Sequence, residues 1–321
     1  MHENYIADAI NGVLMQETSF PVELIIANDC STDRTDQVVQ SFKTHKNYNW
    51  IKYFRHEVNK GMIPNFISAL NKCNGKYIAL CEGDDYWTDR YKLQKQVDFF
   101  QANEEYVASF HKVKILEKGG ELEDDYMTQV PQNHETIEDL ARDGNYIHTP
   151  SVIFKNVLKV IPEELYLSPV GDYFIYMLLA EQGKFKYLND IMAVYRNGVG
   201  IHSSKTQEDK TISFNIALFL IWHVFIKTNR KIATILFKRI EGKLNQLLNN
   251  NYLIDQLTKI DKNQTNLTLC LIKQLEYSHQ IEIALTKENS INDFLKSTSS
   301  FYLLKIVAYK FGLTRLIKKV D

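Results

Sequence analysis

The chain has 321 residues, enough for one large domain with an appendage or for two domains. Charged residues make up 24% and hydrophobic residues 45%, an ordinary composition for a folded protein, and the net charge of -1 leaves no electrostatic case for nucleic-acid binding. Cys30, Cys73, Cys81 and Cys270 show neither Cys-x-x-Cys pairing nor metal-ligand spacing, so reduced thiols in a cytosolic protein are expected. The first residues, Met-His-Glu-Asn-Tyr-Ile, lack the basic and apolar regions of a signal peptide. The longest apolar stretch, 216–226, is interrupted by His223 and falls short of the roughly 20 residues that span a bilayer, so no transmembrane helix and a cytoplasmic location are expected.

In chain order, Tyr5, Ile6, Ala9, Ile10, Val13 and Leu14 recur at helical spacing. Val22-Glu23-Leu24-Ile25-Ile26-Ala27 is nearly continuous in apolar residues, the pattern of a parallel strand covered on both faces. Ser31, Thr32 and Asp33 offer caps to a helix whose apolar face holds Val38, Val39 and Phe42. Residues 50–54 read as a strand. Residues 62–70 read as a helix, with Pro64 tolerable in its first turn because the amides there lack partners anyway. Residues 76–81 are the next strand, 92–101 a helix and 107–116 a further strand. This alternation argues for a parallel sheet with right-handed crossovers, whose ligands bind beyond the carboxyl ends of the strands.

The middle is less regular. Residues 118–133 are polar, with Gly119-Gly120 and an acidic cluster, and read as a loop. A short helix is expected over 134–142, a strand over 146–154, a helix over 172–181 and a strand at the end of 186–195. Beyond Lys205 long helical patterns dominate, so the chain is divided into a domain of residues 1–204 and a helical region of residues 205–321. The last 21 residues combine an apolar face with Lys305, Lys310, Arg315, Lys318 and Lys319. That pattern suits either a helix lying on an anionic membrane surface or one docked on the protein.

The chemistry concentrates in turns. Asp84 and Asp85, in Cys81-Glu82-Gly83-Asp84-Asp85-Tyr86-Trp87, leave an apolar strand as an acidic pair. Such a pair can hold a hard divalent cation against a diphosphate, or it can be a solvated turn with a helix cap. Asn28-Asp29 falls at another strand end. Arg196 and His202 follow the last strand; both can bind diphosphate, and His202 can also complete a metal site. Trp87 can stack on a sugar face or pack in the core. His148 is a candidate for the acceptor pocket.

In order, these motifs resemble the inverting family 2 glycosyltransferases, which share the GT-A nucleotide-sugar fold. The strand ending Glu23-Leu24-Ile25-Ile26-Ala27-Asn28-Asp29-Cys30-Ser31-Thr32-Asp33-Arg34-Thr35 looks like the family's Asp-Asp-x-Ser-x-Asp-x-Thr signature. Asn59-Lys60-Gly61 matches its Asn-x-Gly turn, and Glu82-Gly83-Asp84-Asp85 its acidic metal motif. Gly171-Asp172 sits where the catalytic carboxylate is carried, and Tyr195-Arg196 resembles the close of the catalytic domain in a bacterial surface-polysaccharide subgroup. The resemblance covers about residues 2–204. It implies an α/β fold, a GT-A-like, Rossmann-type mixed sheet flanked by helices, followed by the helical C-terminal region.

The resemblance further implies a metal-dependent, inverting transfer from a nucleoside-diphosphate sugar, a UDP-sugar in particular, to a glycan or lipid-linked acceptor. Asp172 would be the base, though it can equally be a helix N-cap. Asp29, Asn59 and Gly61 would shape the nucleotide pocket, Asp85 would coordinate Mg²⁺ or Mn²⁺ directly, Asp84 would bind the ribose or the metal, and His202 could complete the metal site. Four departures stand out. Asn28 replaces the first acid of the usual pair, and Glu82 the first Asp of the metal motif. The Gln-x-x-Arg-Trp motif of processive synthases is missing, and the chain opens just after the point where the family has its first strand. That last departure raises the alternative of an inactive binding or scaffold protein. A nucleotidyltransferase would show a Gly-rich basic loop near the first strand, and a Rossmann dehydrogenase Gly-x-Gly-x-x-Gly; neither is present.

Overall fold

A computed structural model describes residues 2–200 and 203–248. His202, Cys270 and the basic segment 301–321 lie outside the described residues. The chain divides into two compact units, 1–232 and 233–321.

In the first unit, helix α1 (Ile6–Leu14) buries Ile6, Ala9, Ile10, Val13 and Leu14, the spacing that its sequence set. Strand β1 (Leu24–Asn28) pairs in parallel with β2 (Ile51–Arg55), with α2 (Thr35–Ser41) between them in sequence. Helix α3 (Met62–Leu70) follows Gly61, and packs on β1. Strands β3 (Tyr77–Ala79) and β4 (Tyr86–Trp87) flank the acidic turn, and α4 (Lys92–Ala102) leads to the long strand β5 (Tyr106–Leu116). After it come β6 (Leu122–Asp124), α5 (Ile137–Asp143), β7 (Ile153–Lys155), α6 (Glu163–Leu167), α7 (Asp172–Ala180) and β8 (Lys184–Arg196). Helix α8 (Gln207–Thr228) closes the unit, and α9 (Arg230–Leu248) begins in it.

The sheet differs from the purely parallel one that the alternation predicts. It is mixed, and it comes in two pieces. β1 and β2 form one; the other has the order β3-β7-β5-β8-β4, with β6 on the edge of β5. Within the second, β5 and β8 are parallel, whereas β7 runs back antiparallel to both β3 and β5. The predicted strand over 146–154 shrinks to β7 because Pro150 starts a 3-10 turn at Thr149–Ser151, and a proline cannot donate to a ladder. The predicted loop at 118–133 contains β6, whose three residues are all exposed.

The main core is built where β5, β7 and β8 meet α4. Phe100, Val113, Ile115, Ile153 and Ala193 pack there, each at most 2% exposed. Full burial of such a side chain contributes about 1.5–3 kcal/mol. Every residue of α7 from Tyr173 to Ala180 is buried, so it is apolar all round rather than amphipathic. α8 lies against α6 and α7: Phe214 stacks on Tyr173, and His223 Nδ1 is 2.9 Å from Glu164 Oε1. By length and composition α8 is long and apolar enough to cross a bilayer, and about half of it is buried inside the structure. The sequence reading stopped at 216–226 and so missed this length.

One charged group breaks the core's pattern. Lys92 is fully buried, with its Nζ 2.8 Å from Gln96 Oε1 and 4.4 Å from the Trp87 ring centroid. Burial pulls its amine down to about 7.

Candidate active site

Asn28 and Asp29 end β1. The Asn28 carboxamide donates to Tyr53 Oη at 2.8 Å and accepts from Ser31 N at 2.8 Å, so it fixes the turn. The Asp29 carboxylate accepts from Lys60 N at 2.7 Å and Gly61 N at 2.8 Å, while Asn59 Nδ2 donates to the Asp29 carbonyl at 3.1 Å. Gly61 has φ +92°, a conformation that favours glycine, and so presents its amide to Asp29. Cys30 has φ 57°, which is uncommon for a residue with a Cβ and holds strain beside Asp29. The expected grouping of Asp29, Asn59 and Gly61 is therefore present as one hydrogen-bonded knot.

The acidic turn joins β3 to β4. Asp85 is 1% exposed; its Oδ1 accepts from Arg196 N at 2.8 Å, and its Oδ2 is buried without a partner. Burial first, and then the charges of Glu82 and Asp84, raise the Asp85 carboxyl well above the usual carboxylate range. Glu82 is pushed up to about 8 by the surrounding protein and by Asp84 and Asp172, although cavity solvent reaches its side chain. Asp84 is buried, with Oδ1 3.9 Å from His2 Nε2. A Cβ at Gly200 would stand 2.8 Å from Asp84 Oδ2, so glycine there lets the backbone close over the acid.

Asp172 opens α7. It accepts from Asn145 Nδ2 at 2.9 Å through Oδ2 and from Tyr173 N at 2.7 Å through Oδ1. A Cβ on Gly171 would lie 2.6 Å from Ile63 Cδ1, so the turn before Asp172 is pressed against α3, the helix that follows the Asp29 knot.

Three candidates are placed differently from one another. Arg196 is buried and fully engaged: its guanidinium donates to the Asp84 carbonyl and to Asp8, and lies 5.1 and 4.7 Å from the Tyr5 and Tyr86 ring centroids. It clamps α1 to the acidic turn. Trp87 is 4% exposed, in the core, and donates from Nε1 to the Pro150 carbonyl at 2.9 Å. His148 faces the cavity, with Nε2 3.1 Å from Asp125 Oδ2 and its ring 4.8 Å from that of Tyr195. Against the upward push of burial, bonds from His148 and Thr128 hold Asp125 at about 2. Sequence reasoning missed Asp125 and Asn145. Asp125 was visible within the acidic cluster of the 118–133 loop; nothing marked Asn145.

A cavity of about 800 Å³ runs through this region. One end is lined by Glu82, Asn145, His148, Thr149, Asp172 and Tyr195. Asp29, Asp84 and Asp85 do not line it; Asp84 and Asp85 follow Glu82 in the acidic turn, and Asp29 is tied through Gly61 to the start of α3. The donor set fits a hard cation. Oxygen ligands are available at Asp84 and Asp85, the Asp85 Oδ2 is unsatisfied, and a divalent charge would relieve the mutual repulsion that raises Glu82 and Asp85. Among the described residues no three His, Cys, Asp or Glu side chains form a ready-made cage. Mg²⁺ does not require one, since it usually takes one or two carboxylates together with phosphate oxygens and waters.

The family model for glycosyl transferase family 2 matches residues 2–161. The chain belongs to glycosyl transferase family 2. Among curated relatives, an uncharacterized protein of Mycobacterium tuberculosis is 34% identical over 213 residues, 65% of this chain and 60% of that protein. The chain thus spans about 60% of the length of the mycobacterial relatives it matches. The putative teichuronic acid biosynthesis glycosyltransferase TuaG of Bacillus subtilis is 36% identical over 97 residues, 30% of this chain and 36% of TuaG. In fold the chain is similar to S. aureus TarS in complex with UDP-GlcNAc, with TM-score 0.59, 19% identity, and coverage of 86% of this chain and 78% of that one. It is also similar to the mannosyltransferase PcManGT from Pyrobaculum calidifontis in complex with GDP-Man and Mn²⁺, with TM-score 0.51, 13% identity, and coverage of 99% and 82%. The fold is GT-A: a curled mixed sheet flanked by helices.

Proposed function

We propose that the chain moves a sugar from a nucleoside-diphosphate sugar, a UDP-sugar in particular, to a hydroxyl of a cell-surface glycan or lipid-linked acceptor, non-processively and with inversion. One observation carries this reading: Asp172 and Glu82 line the same cavity close enough to repel each other, and Glu82 is followed in its turn by Asp84 and Asp85. The nucleotide and nucleotide-sugar complexes of the TarS and PcManGT structures support the donor class, and the name of TuaG supports a surface polymer as the acceptor's destination.

In this reading Asp172 takes the proton of the acceptor hydroxyl as its oxygen attacks the anomeric carbon from the face opposite the diphosphate. The bond from that carbon to the diphosphate oxygen breaks, and its electron pair leaves with the diphosphate. Asn145 and the Tyr173 amide hold the Asp172 carboxylate in place. Asp84 and Asp85 would hold Mg²⁺ or Mn²⁺, which when bound supplies Lewis-acid stabilisation of the leaving diphosphate. The Asp29 knot reads the base, and His148, fixed by Asp125, contacts the acceptor. Arg196 positions the acidic turn through its backbone amide and its contact with the Asp84 carbonyl. We place the reaction in the cytoplasm at the inner face of the plasma membrane, with segment 301–321 as the membrane contact.

The test is a panel of UDP-sugars incubated with the full chain and Mn²⁺, read by UDP release and by the anomeric configuration of the product. Metal-dependent release with an inverted anomer is expected. Binding of UDP without release from any donor, in the presence of acceptor extracts, would leave a binding protein and overturn the proposal.

A further inference from the structure

β5 and β6 make a hairpin that leads into residues 125–128, and this short stretch is fixed at both ends. Asp125 Oδ1 accepts from Met127 N at 2.9 Å and from Thr128 N at 3.1 Å, and Asp125 Oδ2 accepts from Thr128 Oγ1 at 2.6 Å. The same Oδ2 lies 3.1 Å from His148 Nε2. His148 and Thr128 line the cavity that Asp172 also lines. Between these anchors Tyr126 and Met127 stand out, 59% and 39% exposed. The Tyr126 hydroxyl is tied down as well. It donates to Glu117 Oε1 and accepts from Asn197 Nδ2 at 3.1 Å, and Asn197 Nδ2 is 3.2 Å from both Glu117 carboxylate oxygens.

Burial does not account for this arrangement, because a side chain so exposed adds little to a core. The hydrogen bonds instead hold an aromatic body in one orientation beside the cavity. A tyrosine with its polar tip engaged and its ring open to solvent is suited to stack on the C–H face of a sugar ring. Fixing it in advance lowers the ordering cost of that contact.

We propose that Tyr126, with Met127 beside it, is the platform for the second sugar ring of the acceptor. The ring that carries the reacting hydroxyl lies in the cavity, at Asp172, His148 and Thr128, and the ring linked to it stacks outside on Tyr126. The inference rests on the proposed sugar transfer and deepens it: the acceptor has at least two rings. Its second ring is neutral. The hairpin carries Glu117, Glu121, Glu123 and Asp124 against Lys118, and Lys114 is paired with Asp124 at 3.0 Å, so a uronate or phosphorylated sugar would meet like charge there.

The full chain with UDP and Mn²⁺ is titrated with the methyl glycosides of glucose, galactose and N-acetylglucosamine and with those of maltose, lactose and chitobiose, followed by saturation-transfer NMR. At least one disaccharide should bind about tenfold more tightly than its monosaccharide. Tyr126→Ala should erase most of that advantage while the melting temperature holds, and Tyr126→Phe, which keeps the ring and drops the hydroxyl bonds, should retain most of it. Equal losses in the two variants would make Tyr126 a latch for the hairpin and overturn the platform. So would an advantage untouched by Tyr126→Ala, or no bound disaccharide. Tighter binding of a disaccharide ending in glucuronate than of its neutral counterpart overturns the neutral ring. The UDP signals in the same spectra report the donor site: saturated UDP without bound disaccharide overturns the platform alone, and UDP that stays unsaturated overturns the proposed function with it.

Discussion

β5 and β1 are both strands of largely apolar sequence, yet they meet different surroundings. β5 lies between β7 and β8, and its first six residues are buried. β1 has β2 on one side and the cavity on the other, and only Asn28 among its five residues is buried. The contrast teaches that a run of apolar residues records the covering a strand is built for, while the structure shows the covering it has. It also separates two jobs. In the proposed reading the β5 core holds the fold, and the acids beyond the ends of β1 and β3 would carry the chemistry.

The sharpest way to break that separation is Asp172→Asn. The N-cap of α7 is Gly171, so Asp172 is not the cap that the sequence also allowed. The variant should keep its melting temperature, since the asparagine carboxamide oxygen can still accept from the Tyr173 amide, and lose about 10²- to 10⁴-fold in turnover. A variant that unfolds yet retains its turnover per folded molecule would make the role of Asp172 structural alone. Next, Ile115→Ala in β5 should cost about 2–5 kcal/mol in chemical denaturation, because a fully buried side chain leaves a cavity. Ile25→Ala in β1, already beside the cavity, should cost about 1 kcal/mol. Equal costs would remove the difference between the two strands.

The smallest effect is on pH dependence. Glu82 holds its proton up to about pH 8 in the folded chain, whereas its ordinary value is 4.5. Between those values the folded state binds more protons than the unfolded one, so stability falls as pH rises. Asp85, also raised, acts in the same sense. The melting temperature should therefore drop from pH 5 to pH 8, and Glu82→Gln should flatten that slope; an unchanged slope would remove Glu82 as its source.

Much of this was legible in the sequence because it is local. The helical spacing of α1, the apolar run of β1 and the acids at the strand ends all lie within a few residues of one another. The grouping of Asp29 with Asn59 and Gly61 came from the family resemblance rather than from the pattern of the residues. What stayed hidden depends on distant partners. Arg196 was a candidate for the diphosphate, but its guanidinium is met by Asp8, 188 residues away. His148 finds Asp125 across 23 residues. Lys92 sits on a helix among polar neighbours, and only the packing of Trp87 and Gln96 over it shows that it is buried. The antiparallel return of β7 was obscured because three residues beside a proline carry too little pattern to fix direction.

The most direct test of the central claim, that the acids beyond β3 hold a nucleoside diphosphate through a divalent cation, is calorimetric titration of UDP into the full chain. The account predicts binding with Mn²⁺ that weakens at least tenfold without the metal or in an Asp84→Asn, Asp85→Asn double variant that remains folded. Equal affinity under all three conditions, or no binding of UDP under any, would contradict it.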